Sequence, residues 1–173
     1  MTLHIIVDGY NMIRQSSDLR RYDRFDLASG REELLRRLAE YRKVRPHRIT
    51  VVFDGAGVPL PTEERDRVRG IDVRFSRGGE SADTVIRRMA AREKERALVV
   101  SSDRGVSDFA AARGAAVIDS PAFEERIEIG RHAGQTEGGE PPAAGWTPTT
   151  RKKGPSRRLP KRQRRNRRKL GKL

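Results

Sequence analysis

Four aspartates of this 173-residue chain are placed where they can do chemistry together: Asp8, Asp54, Asp83 and Asp103. Asp8 and Asp54 each follow a short apolar run and are followed by glycine, in Val7-Asp8-Gly9 and Phe53-Asp54-Gly55. Asp103 closes Val100-Ser101-Ser102-Asp103, and Asp83 lies two residues after Ser81, at the start of an amphipathic stretch. Singly, each has an ordinary explanation, because Asp-Gly is a turn pair and an aspartate suits the first turn of a helix. Together they are different. Carboxylates gathered in one crevice repel one another and are costly to desolvate unless a cation binds or some are protonated. The set therefore points to a divalent metal. The chain has no cysteine and three scattered histidines, so the ligands must be oxygens, and Mg²⁺ or Mn²⁺ is the expected ion. Such a metal lowers the pKa of a bound water and neutralises a scissile phosphate.

The elements that must position these aspartates are legible in the apolar pattern. Leu3–Val7, Ile49–Phe53, Ile71–Phe75, Ala97–Ser101 and Ala115–Ile118 read as five strands. Helices are expected over 30–44 (capped from Ser29), from Ser81 with Val85, Ile86, Met89 and Ala90 on one face, over 105–113 and over 121–129. Alternation of strand and helix implies an α/β fold with a parallel sheet and helices on both faces. Ligands of open α/β sheets gather at the carboxyl ends of the strands. Asp8, Asp54 and Asp103 close three strands there, and a helix following the third strand starts at the same edge and brings Asp83.

Further groups flank this edge. Asn11 is three residues after Asp8 and is expected to orient that carboxylate or a phosphate. Ser101 and Ser102 precede Asp103 and are candidates for binding a carboxylate or a phosphate oxygen. Glu80 and Asp108 are nearby acids of open role. Gly9, Gly55 and Gly105 allow close approach of backbone to a ligand, although turns explain them equally. Among the arginines near the motifs (14, 20, 21, 65, 67, 69, 77 and 104), Arg14, Arg77 and Arg104 are the best placed to meet substrate; the rest read as solvated surface. No GxGxxG, GxxxxGK[ST] or GxSxG is present, so a nucleotide cofactor and serine-hydrolase chemistry lack support.

Charge divides the chain. The net charge is +14, yet residues 151–173 hold 13 of the 38 Lys and Arg and no acid. Residues 1–150 are nearly neutral. Residues 130–150, rich in Gly, Pro, Thr and Glu, read as a flexible linker, and 151–173 as a disordered basic tail whose partner is a polyanion. Arg151, Lys152 and Lys153 open that tail and are expected to contact a nucleic-acid substrate. No run approaches the roughly 20 apolar residues of a membrane span, and Leu3–Val7 is too short for a signal-peptide core, so a cytoplasmic protein without a membrane partner is expected.

Asp8-Gly-Tyr-Asn11, Val52-Phe-Asp-Gly55, Ser81-Ala-Asp83 and Ser101-Ser-Asp103, taken in order, resemble the NYN domain, a branch of the PIN-like nuclease superfamily, and within it the YacP-like group. The resemblance spans residues 3–129; linker and tail lie outside it. It implies a three-layer sandwich with a parallel sheet in the order 3-2-1-4-5. It implies Mg²⁺ or Mn²⁺ at Asp8, Asp83 and Asp103, with Asp54 and Asn11 in or beside the shell. It implies endonucleolytic cleavage of RNA, with the ribosome as a partner, since that group includes an enzyme acting on mRNA there. The residues alone leave RNA and DNA both open. The competing readings are a non-catalytic RNA- or ribosome-binding protein on a nuclease-like fold, and an enzyme acting on DNA or small phosphate esters.

Overall fold

The computed structural model describes residues 2–24, 26–55, 64–135 and 160–173. In chain order these form β1 (His4–Asp8), α1 (Gly9–Gln15), α2 (Leu19–Asp23), α3 (Leu27–Val44), β2 (Arg48–Phe53), β3 (Glu64–Val68), β4 (Ile71–Phe75), α4 (Ala82–Glu93), β5 (Ala97–Val100), α5 (Arg104–Ala112), β6 (Ala116–Ile118), α6 (Ser120–Gln135) and α7 (Lys161–Leu170). The sheet order is β3-β4-β2-β1-β5-β6. The five expected strands are β1, β2, β4, β5 and β6. They pair in parallel, in the expected order. What differs is β3, which pairs antiparallel to β4 and extends one edge. Its sequence, Glu-Arg-Asp-Arg-Val, has no apolar period to announce a strand, and its charges suit an edge that must resist further pairing.

Alternation along the strands makes two cores and hence three layers. Ile5, Val7, Val51, Phe53, Leu98 and Val100 face the larger core with residues of α1, α3 and α6. Ile6, Val52, Ala97 and Val99 face α4 and α5 through Val85, Ile86, Ala90, Val106 and Ala110. The apolar stripe of α3 is Leu34, Leu35, Leu38 and Tyr41, all buried. Its cap is Asp26 rather than Ser29: the Asp26 carboxylate accepts from the Ser29 amide at 2.8 Å, which starts the helix at Leu27. On the outer side of this core Glu33 is hydrogen-bonded by Arg36 and Arg37, each at 2.8 Å, and Arg36 first holds its carboxyl down to about 2.

The basic segment corrects the expectation of a disordered tail. Residues 161–170 are helical, and α7 lies against the open edge of β6. Asn166 accepts from Val117 N (2.9 Å) and donates to Val117 O (3.3 Å), so one side chain mimics a neighbouring strand. Leu173 is buried in the larger core, and Tyr41 Oη donates to its carbonyl at 3.0 Å. Charge composition hid this because the inward-facing residues, Asn166, Lys169 and Leu170, are few and mostly polar. The last expected helix also runs longer: α6 continues through 130–135, into the stretch read as linker. The rest of that linker, with Trp146, and Arg151, Lys152 and Lys153 lie outside the described residues. Among the described residues no helix is long and apolar enough to cross a membrane.

Candidate functional site

Each of the four aspartates sits at the carboxyl edge of the sheet, and three of them, Asp8, Asp103 and Asp54, are fixed by backbone they cap or by a buried hydroxyl. Asp8 ends β1 and caps α1, its Oδ1 accepting from Asn11 N at 3.2 Å. The sequence suggested a loop after Asp8-Gly9; the carboxylate instead starts a helix there. That helix needs glycine at position 9, because a Cβ there would stand 2.3 Å from the Phe53 ring. The close approach is packing, not ligand access. Asp103 caps α5 through Val106 N at 2.8 Å. Asp83 lies in the first turn of α4, which Ser81 caps. Asp54 accepts from Ser76 Oγ at 3.2 Å, and the same hydroxyl accepts from Gly55 N at 3.0 Å.

A partly buried polar lattice joins the Asp8 and Asp103 loops. Ser101 Oγ donates to Asp8 Oδ2 and accepts from Asp103 N, both at 3.1 Å. Asn11 Oδ1 accepts from Ser102 N (2.9 Å) and Ser120 Oγ (2.8 Å), while Ser102 Oγ accepts from Ser120 N (3.2 Å). Ser101 is buried and therefore positions the two acids rather than meeting substrate; Ser102 is half-buried. Asn11 ties the loops together by its oxygen.

Electrostatics mark the four as a group. The Asp8 carboxyl is pushed up to about 6, chiefly by burial and further by Asp83 and Asp103. Asp83 is pushed up by burial, then by Asp103 and, less, by Asp54, against a downward pull from Arg87. The carboxylates thus sense one another across the crevice. Among the described residues, however, no three acidic or histidine side chains close into a group at metal-binding distance. The donor set itself fits a hard cation: all oxygen, mutually repelling, and Asp8 hydrogen-bonded by neutral donors only.

The flanking residues separate into those near this crevice and those engaged elsewhere. Arg104 opens α5 and lines a cleft of about 510 Å³ with Ser101, Ser102, Ser107, Asp108 and Arg126; none of the four aspartates lines it, so Asp108 stands apart from them. Arg14 is exposed in the last turn of α1, over the Tyr10 ring. Arg77 is ion-paired to Glu80 at 3.7 Å, and Glu80 also pairs with Arg88 at 2.7 Å, which accounts for that acid. Sequence reasoning missed Arg87, Ser76 and Ser120. The point where a Cβ would stand on Gly105 is 2.9 Å from Arg87 Nη2 and 3.2 Å from Asp103 Oδ1, so Arg87 reaches the acidic corner. Its spacing of four from Asp83, one helical turn, was the available signal.

Comparison with known proteins places the fold and the family. A curated relative, the uncharacterized protein YacP of Bacillus subtilis (strain 168), is 31% identical over 86 residues, 50% of this chain and 50% of that protein. The match thus spans about half of that relative's length. The crystal structure of Rae1 (YacP) from Bacillus subtilis superposes with a TM-score of 0.60 at 26% identity, covering 78% of each chain. The crystal structure of a point mutant of that protein, with leucine in place of one tryptophan, superposes with a TM-score of 0.64 at 23% identity, covering 76% of this chain and 79% of the other. The family model described as the YacP-like NYN domain matches residues 5–170, running past residue 129 into the basic segment. This chain belongs to the YacP-like NYN domain family, within a nuclease superfamily.

Proposed function

We propose that the protein is a metal-dependent endoribonuclease that hydrolyses RNA phosphodiester bonds in the cytoplasm, with ribosome-associated mRNA as its target. Asp8, Asp83 and Asp103 would hold Mg²⁺ or Mn²⁺, with Asp54 beside them. When bound, the ion supplies charge neutralisation at the scissile phosphate and a water of lowered pKa. The observation that carries the reading is Asp8: a buried carboxylate whose ordinary value is raised to about 6, facing two further acids, with only an amide and a hydroxyl bonded to it. Such a group is costly to ionise and finds its counter-charge in a cation.

The chain's own residues divide the remaining work. Ser101 fixes the Asp8 carboxylate and, through the Asp103 amide, the adjoining loop. Asn11, anchored by its oxygen, keeps its amide NH₂ for a phosphate oxygen. Arg104 and Arg87 stand where they can take the charge of the RNA backbone; Arg14 and Arg77 lie further out. Arg162, Arg164, Arg167 and Arg168 on the exposed side of α7 add long-range attraction to RNA, joined by Arg151, Lys152 and Lys153. That attraction falls with salt as counterions are released.

The test is cleavage of labelled RNA by the wild type and Asp83→Asn, in Mn²⁺ or EDTA, with and without ribosomes. Metal-dependent cleavage lost in the variant is expected. The open spacing of the acids favours one second reading, an RNA-binding protein without catalysis. Salt-sensitive RNA binding with no cleavage under any of these conditions would move the assignment there.

A further inference from the structure

The amino ends of the strands carry a second site, independent of whether the carboxylate crevice cleaves RNA. Arg42, His47, Arg48, Arg67, Gly70 and Asp72 line a cleft of about 470 Å³ there. Because β1, β2 and β4 are parallel, it lies one strand length from the aspartates, roughly 20 Å for the six residues of β2 at ~3.3 Å each.

The cleft is built rather than incidental. Arg42, in the last turn of α3, has no hydrogen-bond or ion-pair partner among the described residues, and its Nε is fully covered. A guanidinium N–H covered from water without an acceptor is costly, and among the described residues nothing offsets it, while the terminal nitrogens of this half-buried side chain remain free to meet a ligand. Backbone conformation is committed to holding it. Arg69 (φ 51°) and Gly70 (φ 82°) form the two-residue turn between β3 and β4, and both take the left-handed conformation such hairpins require. A Cβ on Gly70 would stand 2.6 Å from Arg42 Nη1, so the turn closes directly over that group.

Two more guanidinium groups are fixed at the rim by one acid. Asp72 meets both side chains at Nε, Arg48 at 3.2 Å and Arg67 at 3.7 Å, which places both guanidinium groups at the cleft's rim. His47 donates through Nε2 to Lys172 O at 3.1 Å, and its Nδ1 is covered without a partner. Three arginines against one aspartate leave a formal charge of +2 in the cleft, which a phosphate dianion balances. Planar guanidinium forks on several sides of a polar cavity are the chemistry of phosphate recognition.

We propose that this cleft is a phosphate-binding pocket, with the half-buried Arg42 as its anchor and Arg48 and Arg67 as its walls. The phosphate belongs either to an RNA strand, making the cleft an exosite, or to a free phosphate or nucleotide. Backbone-amide NMR of the full chain, titrated with inorganic phosphate, with AMP and with a short single-stranded RNA at constant ionic strength, tests it. Saturable shifts at His47, Arg48 and Gly70 are expected, weakened at least tenfold in Arg42→Gln and clearly in Arg67→Gln, since a charged hydrogen bond is worth about a factor of ten or more. Tighter saturation with the RNA assigns an exosite; saturation with phosphate and AMP alone assigns the free anion. Arg67 is exposed on an edge strand, so its variant keeps the test if Arg42→Gln fails to fold. No saturable shift at these amides with any of the three, or identical binding in both variants, would overturn the proposal.

Discussion

Replacing Asp8 with asparagine should stabilise the fold at pH 8 and not at pH 4. The Asp8 carboxyl is 7% exposed and moves from an ordinary 3.8 to about 6, first through burial and then through Asp83 and Asp103. At 1.36 kcal/mol per pKa unit, ionising it costs the native state about 3 kcal/mol more than the unfolded chain. A carboxyl whose value is raised by folding binds its proton more tightly in the native state. The associated stability is present below the unfolded value near 4 and is lost as the pH rises through about 6. Asparagine keeps the shape but cannot ionise. It forfeits one of the two hydrogen bonds from Asn11 N and Ser101 Oγ, at about 1 kcal/mol. The expected balance at pH 8 in EDTA is a gain of about 2 kcal/mol, or about 4–8 °C in Tm for a chain of this size. Thermal unfolding followed by circular dichroism at pH 4 and pH 8 reads it. Equal destabilisation at both pH values would refute the reasoning, because Asp8 would then be held by its hydrogen bonds and not strained by its charge.

Three further outcomes are expected. Gly9→Ala should cost about 1–3 kcal/mol in urea unfolding, because its Cβ would meet the buried Phe53 ring at 2.3 Å and overpack the start of α1; an unchanged midpoint would show that the ring yields freely. Glu33→Gln should lower stability at pH 7 by about 1–2 kcal/mol, discounted for the partial exposure of Arg36. Since the Glu33 carboxyl is held near 2, this loss should be full above pH 4.5 and vanish as the pH falls through about 2; a constant loss across that range would contradict the ion-pair account. Asn166→Ala should leave Val117 N and O unpaired at the sheet edge and speed amide hydrogen exchange along β6, with α7 loosened; exchange as slow as in the wild type would mean that α7 does not cover that edge.

What the sequence announced and what it concealed have physical causes. The central strands β1, β2 and β5 declared themselves because both faces of each are buried, so each is a near-continuous apolar run, and their carboxyl ends located Asp8, Asp54 and Asp103; β4 showed itself instead by alternation, Ile71, Val73 and Phe75 between Asp72 and Arg74. Edge strand β3 escaped notice because one side of it meets water and its residues are almost all charged. The helix after Asp8 was hidden by the double use of Asp-Gly, which serves a turn and a helix cap alike. In α7 the excess of arginine suggested disorder, yet a helix needs only one well-placed face to dock, and here Asn166, Lys169 and Leu170 suffice with Leu173. Arg87 and Ser76 gain their place from the fold: one sits a helical turn beyond Asp83, the other is a buried hydroxyl bridging Asp54 and its own loop.

The most direct measurement is Mn²⁺ binding at pH 7.5, followed by electron paramagnetic resonance, in the wild type and in Asp8→Asn and Asp83→Asn. The account predicts saturable binding by the wild type, weakened at least tenfold in either variant while both stay folded, as expected when one charged ligand is removed from a hard-cation site. Binding of equal strength in all three proteins, or none in the wild type, would contradict the claim that these aspartates are gathered to hold a cation.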